Sequence, residues 1–282
     1  MSRNNSDRFG AQPDASPPQQ ENTKPNPLHF VAPTEFVELP SGGLGYPEGH
    51  PLCGKDTIEI RYMTAKDEDI LSSRTLLKKG IAIERLLDNI VVDKSIKPSE
   101  LLVGDRNAVL IATRISGYGA DYETQIGCPA CGTKSAFSFD LNDQKIKQSE
   151  LNEALSLEKS ENGNFKTVMP FSKFTIEFKL LKGTDENYLT RLADSKSKNR
   201  MPDSMLTDQY KMMIVSIEGH TDRQVINRYV DSMPTVDSRH LRACYKTAAP
   251  DVKIIQTFVC PSCSHEEGME VPFGADFFWP DR

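Results

Sequence analysis

The chain has 282 residues, a formal net charge of −6 and a sequence isoelectric point near 5.5. This length allows about two domains with a substantial hydrophobic core. The acidic balance argues against a broad surface for nucleic acid or anionic membrane. The sequence has no apolar run near the ~20 residues of a membrane-spanning helix. Its first residues lack a secretion-signal pattern.

The first 33 residues have an unusual composition. Residues 1–33 are rich in Asn, Ser, Gln, Pro and charged residues, with almost no apolar side chain before Leu28. Burial could not offset the entropy cost of ordering such a segment, so we expect a disordered N-terminal tail. A tail that folds onto a partner is the alternative.

Residues 34–62 are predicted to form a β-hairpin. A short strand around Val37 ends at Pro40, and residues 57–62 alternate apolar and polar side chains as a returning strand would. The glycine-rich loop 41–49 lacks the Lys-Ser/Thr ending of a phosphate-binding loop and precedes a strand. We therefore interpret it as the tip of the hairpin.

Residues 64–117 are predicted to form a small helical bundle. Thr64 and Asp67 have the spacing of a capping box, and Pro98 suits the first turn of a later helix. A second helix, with an apolar stripe at helical spacing, is predicted after Gly80. These stripes are more simply explained as core positions than as a cofactor site.

Two cysteine pairs carry the strongest chemical signal. Cys128-Pro-Ala-Cys131 and Cys260-Pro-Ser-Cys263 each lie between two strand-like runs. A C-x-x-C turn lets two sulfurs approach one ion, and four thiolates complete the tetrahedral shell of structural Zn²⁺. The sequence therefore predicts a zinc-ribbon-like pair of knuckles, with the metal ligands Cys128, Cys131, Cys260 and Cys263.

Three alternatives to structural zinc concern the chemistry and the ligands of these thiols. A redox dithiol would open a helix in a βαβ unit, whereas strands flank both pairs. Ligand type alone does not separate zinc from iron. His265 is an alternative ligand, although four sulfurs suffice without it. Because four thiolates leave no open position for a water, the site is predicted to be structural rather than catalytic.

The segment between the knuckles is predicted to be an insertion of one hairpin and several helices. The predicted elements are a hairpin at 165–181, a helix opening at Thr184, and helices at 205–217, 222–230 and 237–245. The polar residues 142–164 are predicted to form a short helix or loop. The fold class is therefore α+β, with a tail at 1–33, a first unit at 34–141, an insertion at 142–250 and the second knuckle at 251–282.

No motif in the sequence indicates catalysis. It has no G-x-S-x-G, P-loop or H-E-x-x-H pattern, and Cys53 and Cys244 are isolated thiols. We therefore predict that the protein is not an enzyme. The aromatic run 277–279 suits either an interface anchor or a cap on its own domain.

Several short strings are similar to those of a known family. The strings FVELPSG (36–42), YPEGHPL (46–52), IEIRYMT (58–64), GDRN (104–107), RISGYG (114–119) and Cys128-Pro129-x-Cys131-Gly132 resemble the T4-like bacteriophage baseplate protein family. They are turn and core strings, so they indicate a family and no active site. The similarity covers most of the chain after the tail.

The resemblance implies a structural subunit of the baseplate hub, or a factor that assembles the hub. It implies no enzymatic activity, and it places the protein in the virion tail baseplate or in the host cytoplasm during assembly. The implied partners are other baseplate, hub or tail proteins in a hetero-oligomeric assembly. The charge and composition predict no membrane partner and disfavour nucleic acid. The alternative is a zinc-ribbon nucleic-acid-binding accessory protein, but the knuckle loops carry Glu266 and Glu267 as well as Lys134.

Overall fold

The computed structural model describes residues 32–160, 162–272 and 275–278, and this part of the chain is mixed α+β, as predicted. The strands are β1 (Thr34–Glu38), β2 (Thr57–Arg61), β3 (Asp121–Gly127), β4 (Lys134–Asp140), β5 (Lys145–Lys147), β6 (Glu158–Lys159), β7 (Phe165–Val168), β8 (Thr175–Phe178), β9 (Ile214–Ile217), β10 (Asp251–Lys253), β11 (Ile255–Val259) and β12 (Glu266–Glu270). The helices are α1 (Ala65–Ser72), α2 (Arg74–Lys78), α3 (Ala82–Ile90), α4 (Val103–Tyr118), α5 (Gly183–Lys198), α6 (Met205–Met213), α7 (Arg223–Ser232) and α8 (Thr235–Ala248). Short 3-10 turns lie at Pro98–Glu100, Glu153–Leu155 and Ala275–Phe278. Within these described stretches, no helix combines the length and apolar character needed to cross a membrane.

The strands pair antiparallel in small sheets. Four ribbons of two strands are β1–β2, β3–β4, β5–β10 and β11–β12, and a four-stranded sheet has the order β6-β7-β8-β9. The predicted N-terminal hairpin is present, with Glu38 opposite Thr57 at its inner end. The hairpin predicted at 165–181 is present as β7 and β8.

Buried apolar side chains form two large clusters. One contains residues from 37–141 and from 252–278, and the other contains residues from 157–248. Because β10 pairs with β5 and packs on α4, the C-terminal segment returns to the first cluster. The division into 34–141, 142–250 and 251–282 stays a prediction.

Three local predictions differ from the structure. The helix predicted over 205–217 ends at Met213, and Ile214–Ile217 forms β9 beside β8. Its β-branched residues suit a strand, and the pairing of Ile217 with Ile176 buries both. The alternation of Phe174, Ile176 and Phe178 predicts that all three face one side of the hairpin. Ile176 and Phe178 are buried, whereas Phe174 is 43% exposed and contacts Tyr229, because it precedes the strand. The polar residues 142–164 also contain β5 and β6.

The backbone of helix α4 packs closely against the backbone of the segment before β10. A Cβ atom built on Gly104 would lie 2.1 Å from the carbonyl oxygen of Pro250. We expect Gly104→Ala to lower the free energy of unfolding by about 1–3 kcal/mol, since α4 must move away from residue 250. Helix propensity alone would favour alanine by about 1 kcal/mol, so a net loss of stability would have to come from the steric clash. Urea unfolding measures the change in free energy.

The matched control for this prediction is Gly127→Ala. A Cβ atom on Gly127 would meet no atom within 4 Å. We expect this control to change the urea midpoint little. Equal effects of the two substitutions would contradict the close approach of α4 to residue 250.

Asp67 is fully buried at the start of α1 and completes the predicted capping box with Thr64. Its carboxylate accepts hydrogen bonds from the Arg61 guanidinium at 2.7 and 2.9 Å, from the Thr64 N–H at 2.8 Å and from the Asn89 amide at 2.6 Å. Burial raises the pKa of this carboxyl, but the donors together outweigh burial and lower the pKa to about 2.

This lowered pKa predicts an acid-sensitive contribution to stability. The contribution is complete above the ordinary aspartate pKa near 4 and is lost as pH falls towards 2, because the unfolded chain takes up the proton first. We expect the free energy of unfolding, measured with urea, to fall from pH 5 to pH 2 by about 1–2 kcal/mol more in the natural protein than in Asp67→Asn. The exposed Asp69 provides the control Asp69→Asn, which should leave the slope unchanged. Parallel profiles for all three proteins would contradict the role of Asp67.

Candidate metal centre

Each cysteine pair lies at the tip of an antiparallel hairpin. The first pair connects β3 to β4, where Gly127 is opposite Lys134, and the second connects β11 to β12, where Val259 is opposite Glu266. Short polar turns between alternating strands are what the sequence predicted at both places. The chain thus presents two similar loops, each carrying two sulfurs.

The two loops share one hydrogen-bond pattern. The Cys128 N–H donates to the Thr133 carbonyl at 2.9 Å, and the Gly132 N–H donates to the Cys128 carbonyl at 2.8 Å. In the second loop, the N–H groups of Cys260 and Ser264 donate to the carbonyls of His265 and Cys260, both at 2.9 Å. The residue after each second cysteine has a positive φ, 72° at Gly132 and 56° at Ser264. Glycine adopts this conformation without strain, whereas serine accepts a small cost.

The four sulfurs converge. Cys128 Sγ lies 3.7 Å from Cys263 Sγ, Cys131 Sγ lies 3.7 Å from Cys260 Sγ, and all four lie within 4.8 Å of one another. A tetrahedral ion bound at ~2.3 Å would separate its sulfur ligands by ~3.8 Å. The cysteines are free thiols rather than disulfides. The geometry therefore fits one four-coordinate ion shared by both hairpins.

The pKa values of Cys131 and Cys263 are shifted in opposite directions. The side chain and backbone of Thr133 lower the pKa of Cys131 to about 6. The backbone of His265 also favours the Cys263 thiolate, but hydrogen bonds with the neighbouring thiols, together with burial, outweigh it and raise the pKa of Cys263 to about 12. Four thiolates this close repel one another, which opposes their joint ionisation in the absence of a compensating cation. A bound divalent ion would supply that charge and hold all four as thiolates.

A family model described as T4 bacteriophage base plate protein matches residues 32–279. The chain belongs to this family. The resemblance seen in the sequence is thereby confirmed, and the family gives the protein a structural role in the phage baseplate and a place in the virion tail. No curated protein and no solved structure matches the chain.

In this baseplate protein, side chains outside the predicted ligand set join the two hairpins. The rings of Phe137 and Phe258 meet edge to face with centroids 5.6 Å apart. The Gln256 amide donates to the Asp140 carbonyl at 2.8 Å and accepts from the Asp140 N–H at 3.2 Å. The Gln256 side chain thus links β11 to the backbone of β4. Phe137 and Phe139 alternate with serine in the first hairpin, a pattern that indicates the ring contact but not the Gln256 contact.

His265 and the isolated thiols lie apart from the sulfur cluster. His265 Nε2 lies 3.2 Å from a Glu267 carboxylate oxygen, so the alternative ligand is paired elsewhere. Cys53 is exposed, whereas Cys244 is buried with its sulfur 3.4 Å from both Thr167 Oγ1 and His240 Nε2. Burial raises the pKa of Cys244, which disfavours the thiolate that a nucleophile needs.

Proposed function

We propose that this baseplate protein is a structural or assembly component of a contractile-tail baseplate hub and that it acts by docking other proteins. One structural Zn²⁺, held by Cys128, Cys131, Cys260 and Cys263, would clamp its two hairpins together. The convergence of four sulfurs from two knuckles is the observation that carries the proposal. A shell of four thiolates has no open position for substrate or activated water, so the ion would stiffen the protein rather than catalyse a reaction.

An exposed, rigid aromatic supports the docking role. Phe171, in the turn between β7 and β8, is 68% exposed. Its N–H and that of Ser172 donate to the buried Asp237 carboxylate at 2.8 and 3.0 Å. A large apolar side chain presented on a fixed turn loses little entropy on binding, as in interface anchors.

The C-terminal aromatics Phe277 and Phe278 pack into the protein's own core. Phe277 and Phe278 are buried in the first core cluster, where Phe277 meets Tyr122 edge to face at 5.2 Å. They cap their own domain. Trp279 lies outside the described residues.

Co-expression with the other baseplate proteins of the same phage tests the proposal. We expect a stable complex with at least one hub protein on size-exclusion chromatography, and one zinc per chain by elemental analysis. Mass spectrometry of purified virions then separates a resident subunit from an assembly factor. The absence of any complex would contradict the docking role. Iron in place of zinc in the elemental analysis would show that the proposed metal is wrong. Tight salt-dependent binding of DNA or RNA would favour the nucleic-acid alternative.

A further inference from the structure

Strand β1 has one open edge in the described part of the chain. It belongs to a two-stranded sheet, paired only with β2. Beyond the strand's end, the Leu39 N–H donates to the Asp56 carbonyl at 2.7 Å, which fixes the hydrogen-bond alternation. Odd-numbered residues of β1 bond to β2, so the N–H and C=O groups of Thr34, Phe36 and Glu38 point to the open side. An unpaired edge of this kind is a template for another strand.

A groove lies beside this edge. It has a volume of about 350 Å³, and its apolar lining includes Ala108, Ala112 and Ile115 of α4. Ile146 of β5 contributes from a second ribbon, and Phe36, 70% exposed, contributes from β1. Small alanine side chains on the helix leave room for the side chains of an added strand.

The groove is acidic. The charged residues that line it are Glu35 and Glu38, both carboxylates. Glu35 Oε1 is buried and has no hydrogen-bond partner among the described residues. A buried carboxylate oxygen without a donor is costly, and a cationic side chain placed beside it would remove that cost.

We propose that this groove binds an extended, basic strand from another baseplate polypeptide, which pairs with the open edge of β1. The strand places small apolar side chains over α4 and a lysine or arginine against Glu35. This is strand addition, in which main-chain hydrogen bonds give affinity and alternate side chains give specificity. The inference rests on the proposed docking function and names the surface and the chemistry of the partner.

The chain's own residues before β1 fit this groove less well. Pro25, Pro27 and Pro33 interrupt that segment, and proline has no N–H group to donate to a neighbouring strand. The acidic lining also favours a segment with more positive charge. The occupant is therefore a strand from a different polypeptide.

The first experiment is the pair Phe36→Pro and Phe36→Thr in the full chain, co-expressed with the baseplate proteins that bind it. The Phe36 N–H points away from β2, so proline removes only an outward donor and should leave the fold intact. We expect Phe36→Pro to weaken the complex at least about tenfold and Phe36→Thr to weaken it less than about threefold. Glu35→Gln should weaken binding and reduce its salt dependence. Equal affinities of the proline and threonine variants would overturn the inference.

The second experiment maps the occupant without relying on the proline variant. Photo-crosslinking from p-benzoylphenylalanine at position 36 should capture one extended, basic segment of a partner, and amide exchange at Thr34, Phe36 and Glu38 should slow by about tenfold in the complex. Crosslinks only to residues 1–31 or to a second copy, or unchanged exchange, would overturn the inference while the complex itself upholds the docking role. Failure to form any complex would reject both.

Discussion

Replacing Cys128 or Cys260 by serine should remove the bound metal and loosen both cysteine hairpins together. The two residues lie in different hairpins, yet their sulfurs belong to one group within 4.8 Å. Structural zinc in such sites supplies apparent binding energies of about 10 kcal/mol or more, so losing one ligand should have a large effect on local stability. Elemental analysis measures the metal, and hydrogen exchange over β3–β4 and β11–β12 measures the loosening.

Cys53→Ser is the matched control, because Cys53 is an exposed thiol outside the cluster. It should keep full metal content and unchanged exchange. A chelator should destabilise the natural protein and Cys53→Ser but not Cys128→Ser. If Cys128→Ser loosened only its own hairpin and left metal bound at the other, the single shared centre would be wrong.

Asp105→Ala should lower the free energy of unfolding by about 3–5 kcal/mol. The Asp105 carboxylate is fully buried and accepts hydrogen bonds from the Ser41 N–H at 2.9 Å, the Ser41 hydroxyl at 2.7 Å and the Tyr46 hydroxyl at 2.7 Å. The Leu102 N–H in turn donates to the Tyr46 oxygen at 3.1 Å. Alanine would leave three buried donors without their acceptor and disconnect the N-terminal hairpin from α4.

Denaturant unfolding of Asp105→Ala beside Asp88→Ala tests this prediction. Asp88 is an exposed carboxylate near the end of α3, so its loss should change stability by less than about 0.5 kcal/mol. Tyr46→Phe removes one of the three donors and should fall between the two. Similar small losses for Asp105→Ala and Asp88→Ala would mean that the buried network contributes little.

Much of the fold was predictable because its signals are local. The capping box at Thr64 and Asp67 depends on residues three apart, and the structure contains it. The misassigned segment Ile214–Ile217 shows the limit of such signals, since a short apolar run has no clear period of its own. Pairing with β8, far away in sequence, decides that it is a strand.

The candidate metal centre was likewise predictable only in part from the sequence. The C-x-x-C spacing indicates each pair of sulfurs, whereas Gln256 gives no hint in the sequence that its amide will bond to Asp140. Asp105 lies in the first turn of α4, where an acidic residue is usually solvated, so its position along the chain does not indicate burial. Its partner Ser41 lies 64 residues earlier, and only tertiary packing brings the two together.

The distance between the two cysteine pairs has a consequence for biosynthesis. Cys260 follows Cys131 by 129 residues, so at about 5–20 residues per second a ribosome reaches it on the order of ten seconds later. During that interval the nascent polypeptide offers only two of the four clustered sulfurs, and the intervening helices and hairpin emerge first. Closure of the sphere would then distinguish a chain translated through Cys263 from one interrupted earlier, which would retain two sulfurs and bind an ion weakly.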